Sequence, residues 1–182
     1  MTDLNQSRRT FVGILGSATL GAGAVARGRA TQNDVHDPNP VEEYPKPPYP
    51  EQEQPWPGLA SRMTPRPNHG EQSYRGRDRL TGRKALITGA DSGIGRATAI
   101  AFSREGADVA LSYLPSEEPD AREVVDLIRS TGRKAVPLPG DIRSETFCRA
   151  LVENAVSGLG GLDTLVNVAG RQHAVKSIAD LT

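Results

Sequence analysis

Residues 84–95 read Lys-Ala-Leu-Ile-Thr-Gly-Ala-Asp-Ser-Gly-Ile-Gly, a short apolar run that enters a turn with glycines spaced Gly-x-x-x-Gly-x-Gly. An apolar run of this length that ends in glycine and is followed by a 3.6-residue apolar period predicts strand, turn and helix in succession. The helix is expected from about Gly93 to Arg104, with Ile94, Ala97 and Ile100 or Ala101 on one face, and it stops at Gly106, as helix C-termini prefer. Such a turn points the unpaired N–H groups of a helix N-terminus, and the positive end of its dipole, at a place where a phosphate can sit. Gly89 permits the tight turn, Gly93 lets phosphates approach without a Cβ in the way, and Gly95 lets the helix lie close to the strand. Glycines punctuate many loops. These are bounded by an apolar strand and an amphipathic helix, the context that gives the spacing its meaning.

From Leu80 onward the same alternation repeats. Further strands are predicted at Asp108–Tyr113, 134–138 and 162–168. Asp120, with Glu123 three residues on, has the pattern of a capping box opening a second helix whose buried stripe is Ala121, Val124, Val125 and Ile128, ending at Gly132. A third helix is expected over 144–158, with Phe147, Leu151, Ala155 and Leu159 on one face. Cys148, the single cysteine, falls in this helix and reads as a small core residue; no internal disulfide is possible. Strands alternating with helices predict an α/β fold with a parallel sheet. Right-handed crossovers place its four strands in the order 3-2-1-4. The fourth strand would then present an unpaired apolar edge, which predicts poor solubility.

Two different materials precede this domain. Residues 1–30 carry Ser7-Arg8-Arg9-Thr10-Phe11-Val12 followed by an uncharged Gly- and Ala-rich run to Ala26, and resemble a twin-arginine export signal. The run is shorter than the about 20 residues that span a bilayer, and Ala24 and Ala26 suit a peptidase of the A-x-A type. Export to the periplasm is therefore expected, with residence in the cytoplasm as the alternative. Residues 31–79 show no apolar period and carry ten prolines between Pro38 and Pro67, which predicts neither regular helix nor central strand there. This Pro-rich extension is either a semi-extended spacer or a strap laid over the domain or a neighbouring subunit, with Tyr44, Tyr49, Trp56, Leu59, Met63 and Tyr74 as anchors.

The spacing Thr88-Gly89-x-x-x-Gly93-x-Gly95 resembles that of the short-chain dehydrogenases/reductases. Asp141-Ile142 after the third strand and Asn167-Val168-Ala169-Gly170 after the fourth stand where that family has matching motifs, with Val168 departing from the usual second Asn. Tyr44-Pro45, Pro57-Gly58, Met63-Thr64-Pro65 and Ser112-Tyr113-Leu114-Pro115 look like the bacterial stress-associated, glucose-dehydrogenase-like subgroup, so the resemblance covers roughly residues 44–182. It implies the N-terminal part of a Rossmann domain, over 80–182, that binds NAD or NADP. The cofactor-binding residues it implies are Thr88, Gly89, Asp91, Ser92, Gly93, Ile94, Gly95, Tyr113, Asp141, Ile142, Asn167, Ala169 and Gly170. Cofactor choice is usually set at the end of the second strand, here Ser112-Tyr113. Glu117 and Glu118 would repel a 2′-phosphate if their loop folds inward, which tilts the choice to NAD. Arg96 could favour the phosphate, although a solvated loop and an exposed helix face are the simpler readings of these residues.

The resemblance also implies alcohol, aldehyde, ketone or sugar substrates, homo-oligomeric relatives, and hydride transfer by a Tyr-x-x-x-Lys pair and a Ser. No such pair follows Gly170, so the 182 residues are read as an incomplete, cofactor-binding half with no catalytic residue assigned and no metal ligands. His173 and Lys176 read as exposed loop residues. The 22 basic and 22 acidic side chains balance and give no electrostatic reason to expect nucleic acid or an anionic membrane as partner. Competing readings are a non-catalytic dinucleotide-binding remnant and an exported Pro-rich interaction protein.

Overall fold

The structure, a computed structural model, describes residues 39–171 and 176–180. The signal reading of residues 1–30 and the loop reading of His173 fall outside the described residues. The chain divides into two compact units, 1–43 and 44–182. In the first, Pro40 opens a single helical turn, α1 (Pro40–Glu43), whose Val41 N–H donates to Asn39 Oδ1 at 3.2 Å.

The second unit is built on β1 (Lys84–Thr88), β2 (Asp108–Tyr113), β3 (Ala135–Pro139) and β4 (Thr164–Asn167), all parallel, in the order β3-β2-β1-β4. The connecting helices are α2 (Gly93–Arg104), α3 (Glu118–Ser130) and α4 (Glu145–Leu159). Side chains alternate across a strand, and the two cores follow that alternation. Ile87, Val109, Leu111 and Tyr113 pack with Val124, Val125 and Ile128 of α3 on one face. Leu86 and Ala110 pack with Leu151, Ala155 and Leu159 of α4 on the other. β1 and β2 are therefore buried on both faces, while β3 and β4, at the sheet edges, alternate in exposure. Pro137 and Pro139 are tolerated because β3 is an edge strand. This is the N-terminal part of a doubly wound Rossmann sheet, with the chain reversing direction across it between β1 and β4.

Four local expectations change. The buried face of α2 is Gly95, Arg96, Ala99, Ile100 and Ser103 rather than Ile94, Ala97 and Ile100 or Ala101, because Ile94 turns to the cleft and is exposed. Asp120 does not cap α3. The helix starts at Glu118 after a 3-10 turn, Pro115–Glu117, whose Glu117 carboxylate accepts from the Leu114 N–H at 2.9 Å. Asp120 is instead fully buried and points away to accept the N–H of Ala60 at 2.6 Å, with the Ser61 N–H at 3.3 Å. Cys148 is half-buried rather than core, its Sγ donating to the Ile142 carbonyl at 3.1 Å, because it lies one residue off the Phe147-Leu151-Ala155 stripe. Arg96, read as an exposed face of the first helix, is only 2% exposed.

The burial of Arg96 follows from the course of residues 44–79, which lie in the same compact unit as the sheet. Their regular structure is limited to a 3-10 turn, Ala60–Arg62. What holds them is polar. Gln54 closes a loop by donating to the Leu59 carbonyl at 3.0 Å and accepting its N–H at 2.9 Å. Gln52 does the same with Thr64, at 2.8 and 2.9 Å. Glu71 accepts from Arg96 Nε at 2.9 Å and from the His69 N–H at 2.8 Å, and Arg96 Nη2 continues to Glu123 at 3.0 Å, which also pairs with Arg66. Arg104 donates to the carbonyls of Gly70, Glu71 and Tyr74. Glu105, at the end of α2, accepts from the Tyr74 hydroxyl and from the N–H groups of Arg77 and Arg79.

Of the two forms left open for this segment, the structure takes the strap over its own domain. The expected aromatic anchors do not supply the hold: Leu59 is buried and Tyr74 half-buried, but Tyr44, Tyr49, Trp56 and Met63 are exposed. Burial by itself raises the Glu71 carboxyl, but the N–H groups of Glu71 and His69, the His69 side chain and the Arg96 charge together outweigh it and leave the pKa at about 2.

Two outcomes are expected from this network. Asp120→Ala, which leaves the Ala60 and Ser61 N–H groups without their acceptor, should lower stability by about 2 kcal/mol in denaturant unfolding and open the 44–79 segment to protease. Glu71 is depressed in the folded state, so its contribution is present above its ordinary pKa of 4.5 and is lost on acidification towards 2. The stability gap between wild type and Glu71→Gln should therefore be full at neutral pH, shrink below pH 4.5 and close near pH 2 in urea titrations. A gap independent of pH would refute the assignment.

Candidate functional site

The carboxyl ends of the four strands meet at one cleft of about 520 Å³. Its centre is the turn after β1. Gly89 and Ala90 donate to the Ser112 carbonyl at the end of β2, at 2.8 and 3.1 Å, which ties the turn to the neighbouring strand. Gly89, at φ +65°, runs so close to the β4 loop that an added Cβ would lie 2.9 Å from Ala169 Cα. A Cβ on Gly95 would lie 1.9 Å from the Gly89 carbonyl oxygen, so the first turn of α2 can seat on the loop only with glycine there. Gly93 differs from both. It has φ +51° and a Cβ there would meet nothing within 4 Å. It is a cradle open to the cleft at the helix N-terminus, of a shape and polarity that fit a phosphate.

The sequence-derived residues divide into two sets. Gly89, Asp91, Ser92, Gly93, Ile94, Tyr113, Asp141, Ile142, Ala169 and Gly170 all line the cleft. Thr88, Gly95 and Asn167 do not; Thr88 and Gly95 shape it from behind, and Asn167 is exposed at the end of β4, in register with Thr88. The buried Thr88 hydroxyl accepts the N–H groups of Val168 and Ala169 at 3.1 and 3.2 Å and so fixes the β4 loop to β1. This hold uses only the backbone of residue 168, so valine in place of the family's second asparagine leaves it intact. Tyr113 is buried with its hydroxyl donating to Glu118 at 2.7 Å, and Asp141 is engaged by the guanidinium and N–H of Arg143.

The walls are acidic near β2. Asp91 is 2% exposed and its Oδ2 has no hydrogen-bond partner among the described residues. Burial raises its pKa, more than the Ser92 hydrogen bond lowers it. Burial also raises Glu117, assisted by the nearby carboxylates of Asp91 and Asp120. Burial and the bond to Glu118 push the Tyr113 phenol up, and the Arg143 hydrogen bond holds Asp141 below the usual carboxylate range. Glu117 lines the cleft and Glu118 is tied to Tyr113, so neither belongs to a solvated loop as first read. Among the described residues no group of His, Cys, Asp or Glu side chains is placed to hold a metal ion.

Sequence reasoning did not assign Trp56, Leu114, Gly140, Arg143 and Arg171 to the cleft. Arg143 follows directly on the Asp141-Ile142 motif, and the polar residue after such a motif was a usable signal. Trp56 reaches the cleft only through the docking of residues 44–79, which no spacing in the sequence encodes.

Comparisons with known proteins agree with this geometry. The short chain dehydrogenase family model matches residues 83–182. The chain is 56% identical over 149 residues to the uncharacterized oxidoreductase YhxD of Bacillus subtilis and 48% identical over 126 residues to general stress protein 39 of the same organism. These alignments take in 82% and 69% of this chain but 50% and 44% of those proteins, so the chain spans about half the length of the curated relatives it matches. Among solved structures it resembles a short chain dehydrogenase from Burkholderia cenocepacia in complex with NADP, at 42% identity and a TM-score of 0.53 over 57% of this chain and 42% of that one. It also resembles carveol dehydrogenase from Mycobacterium avium in complex with NAD, at 29% identity and a TM-score of 0.53 over 57% and 41%. The turn, the strand order and the family match lead to one conclusion: the chain belongs to the short-chain dehydrogenase/reductase family.

Proposed function

We propose that this chain is the cofactor-binding half of an NAD(P)-dependent oxidoreductase acting on CH–OH groups of an alcohol, sugar or the corresponding carbonyl compound. The observation that carries the reading is the Gly93 cradle, open and left-handed at the start of α2 while its neighbours Gly89 and Gly95 are closed by backbone. In this reading the pyrophosphate takes the N–H groups of Ser92, Gly93 and Ile94, and the adenosine lies toward Tyr113, Asp141 and Ile142. Ala169 and Gly170 border the rest of the dinucleotide, while Thr88 and Gly95 support the surfaces it touches. The bound dinucleotide supplies the redox equivalent; the protein's part here is to bind and orient it. The Tyr-x-x-x-Lys pair and Ser that the family resemblance implies are not among these residues, so turnover depends on residues outside them. Assembly into a homo-oligomer belongs to the same reading.

NAD is favoured over NADP. Asp91, in the turn after β1, and Glu117, after β2, line the cleft and would repel a 2′-phosphate, and Arg96 is buried and committed to Glu71 and Glu123. Arg143 is likewise paired, with Asp141.

The paired substitutions Gly93→Val and Gly95→Ala separate binding from folding. Gly93→Val meets no neighbouring atom but must hold a β-branched residue at φ +51°, which costs about 1–3 kcal/mol; the protein should fold with that loss of stability while NAD binding by calorimetry disappears. Gly95→Ala drives a methyl into the Gly89 carbonyl and should instead destabilise the fold, by about 2 kcal/mol or more. Unchanged NAD affinity in Gly93→Val would overturn the assignment of the turn.

We also propose that residues 1–30 direct export through the twin-arginine route, which carries folded proteins and would let the enzyme take up its cofactor in the cytoplasm first. In the native host the mature protein should be found in the periplasm without its first 26 to 30 residues, and Arg8→Lys with Arg9→Lys should retain it in the cytoplasm. Unprocessed protein confined to the cytosol of the wild-type strain would refute this.

A further inference from the structure

Trp56 is the one large aromatic side chain of the strap that faces the dinucleotide cleft, and it is 53% exposed there. A tryptophan left this open on a loosely held segment would be unremarkable, since single exposed apolar residues are normal. The segment carrying Trp56 is tightly held. The Gln54–Leu59 pair closes the loop on both sides of it, and Leu59 and Ala60, immediately beyond, are buried with the Ala60 N–H on Asp120. The ring is thus positioned in advance and does not serve the core.

Its neighbour comes from the opposite side. Arg171, the residue after Ala169-Gly170, sets its guanidinium 4.6 Å from the centre of the Trp56 ring. The strap is anchored at α3, which follows β2, whereas Arg171 follows β4, and β1 lies between those two strands. The Trp56–Arg171 contact therefore joins the strap to the loop after β4, and both residues line the cleft. Arg171 also lines the cleft and has no carboxylate partner among the described residues, in contrast to Arg143 and Arg96. A half-exposed ring that carries on one face a guanidinium without a carboxylate partner is a surface suited to a planar base next to a phosphate.

We propose that Trp56 and Arg171 form an outer wall of the cofactor site, supplied by the strap and the β4 loop together, with Trp56 stacking on a ring of the dinucleotide and Arg171 pairing with its phosphates. The Pro-rich extension is then a working part of the binding site. This rests on the dinucleotide reading given above and adds positioning residues to it. Either ring of the dinucleotide offers the same stacking chemistry, and separate titrations with AMP and with nicotinamide mononucleotide tell which one Trp56 meets.

Trp56 is the only tryptophan of the 182 residues, so its fluorescence reports on the site directly. Titrating the whole chain with NAD should quench that fluorescence, and NADH should quench it further by energy transfer. By calorimetry Trp56→Ala should raise the Kd for NAD about tenfold, and Trp56→Phe should recover most of the loss. Arg171→Ala should weaken binding and flatten its salt dependence, with an unchanged melting temperature. Wild-type binding of NAD with no change in fluorescence, or an unaltered Kd in Trp56→Ala, would overturn the proposal while leaving the cofactor reading in place. Should Trp56→Ala misfold, the wild-type quench and the Trp56→Phe affinity decide the matter. Absence of any NAD binding by the wild-type chain would remove both readings together.

Discussion

The carbonyl oxygen of Gly89 stands 1.9 Å from where a Cβ of residue 95 would be, and the site depends on that close approach. It lets the first turn of α2 sit directly on the end of β1, so the helix N-terminus opens at the carboxyl edge of the sheet. From the other side Gly89 presses on Ala169, and the Thr88 hydroxyl holds the Val168 and Ala169 N–H groups. The loops after β1 and β4 are thereby set against each other at the point where the chain reverses across the sheet. A doubly wound sheet leaves a crevice at that point, and here its position is set by backbone contacts that larger side chains would not permit.

Around this inner frame lies a second layer whose hold is electrostatic. The strap over residues 44–79 contributes little apolar area, with Leu59 and Ala60 its only buried hydrophobic residues. It is held by carboxylates of the domain that accept its N–H groups, by Arg96 and Arg104, which reach out to it, and by two glutamines that close its loops on themselves. This changes the cleft as well as the surface. Arg96 is buried and paired with Glu71 and Glu123, while Asp91, in the turn after β1, and Glu117, beyond β2, line the cleft. Asp91 and Glu117, being partly desolvated and close to each other, are both harder to ionise than usual. The pairing of Arg96 is thus tied to the docking of a segment that precedes the sheet.

The two layers also differ in how they relate to other family members. The family model begins at residue 83, at the start of the sheet, and the turn, Asp141-Ile142 and Ala169-Gly170 all fall within it. The strap lies before it. Alignments to YhxD cover 149 residues of this chain, more than the 100 residues from 83 to 182, so the likeness to that relative reaches back into the strap. The subgroup motifs read from residues 44–65 occupy that same stretch.

Sequence alone determined the inner frame. The four strands, their order, the stripes Val124-Val125-Ile128 and Leu151-Ala155-Leu159, and the glycine spacing were legible because local periodicity and backbone conformation dictate them: each depends on residues a few positions apart. The same local logic misplaced Asp120, which looks like a helix cap in one dimension and is a buried acceptor for Ala60, 60 residues away, in three. It left Arg96 on an exposed face because the partner that covers it, Glu71, lies in a segment with no periodicity to read. Whether residues 44–79 stay a spacer or become a wall of the cleft, and hence whether Trp56 meets Arg171, was decided only by tertiary structure. Hydrogen bonds and ion pairs between distant side chains leave no period in the sequence, and only the folded chain brings their two ends together.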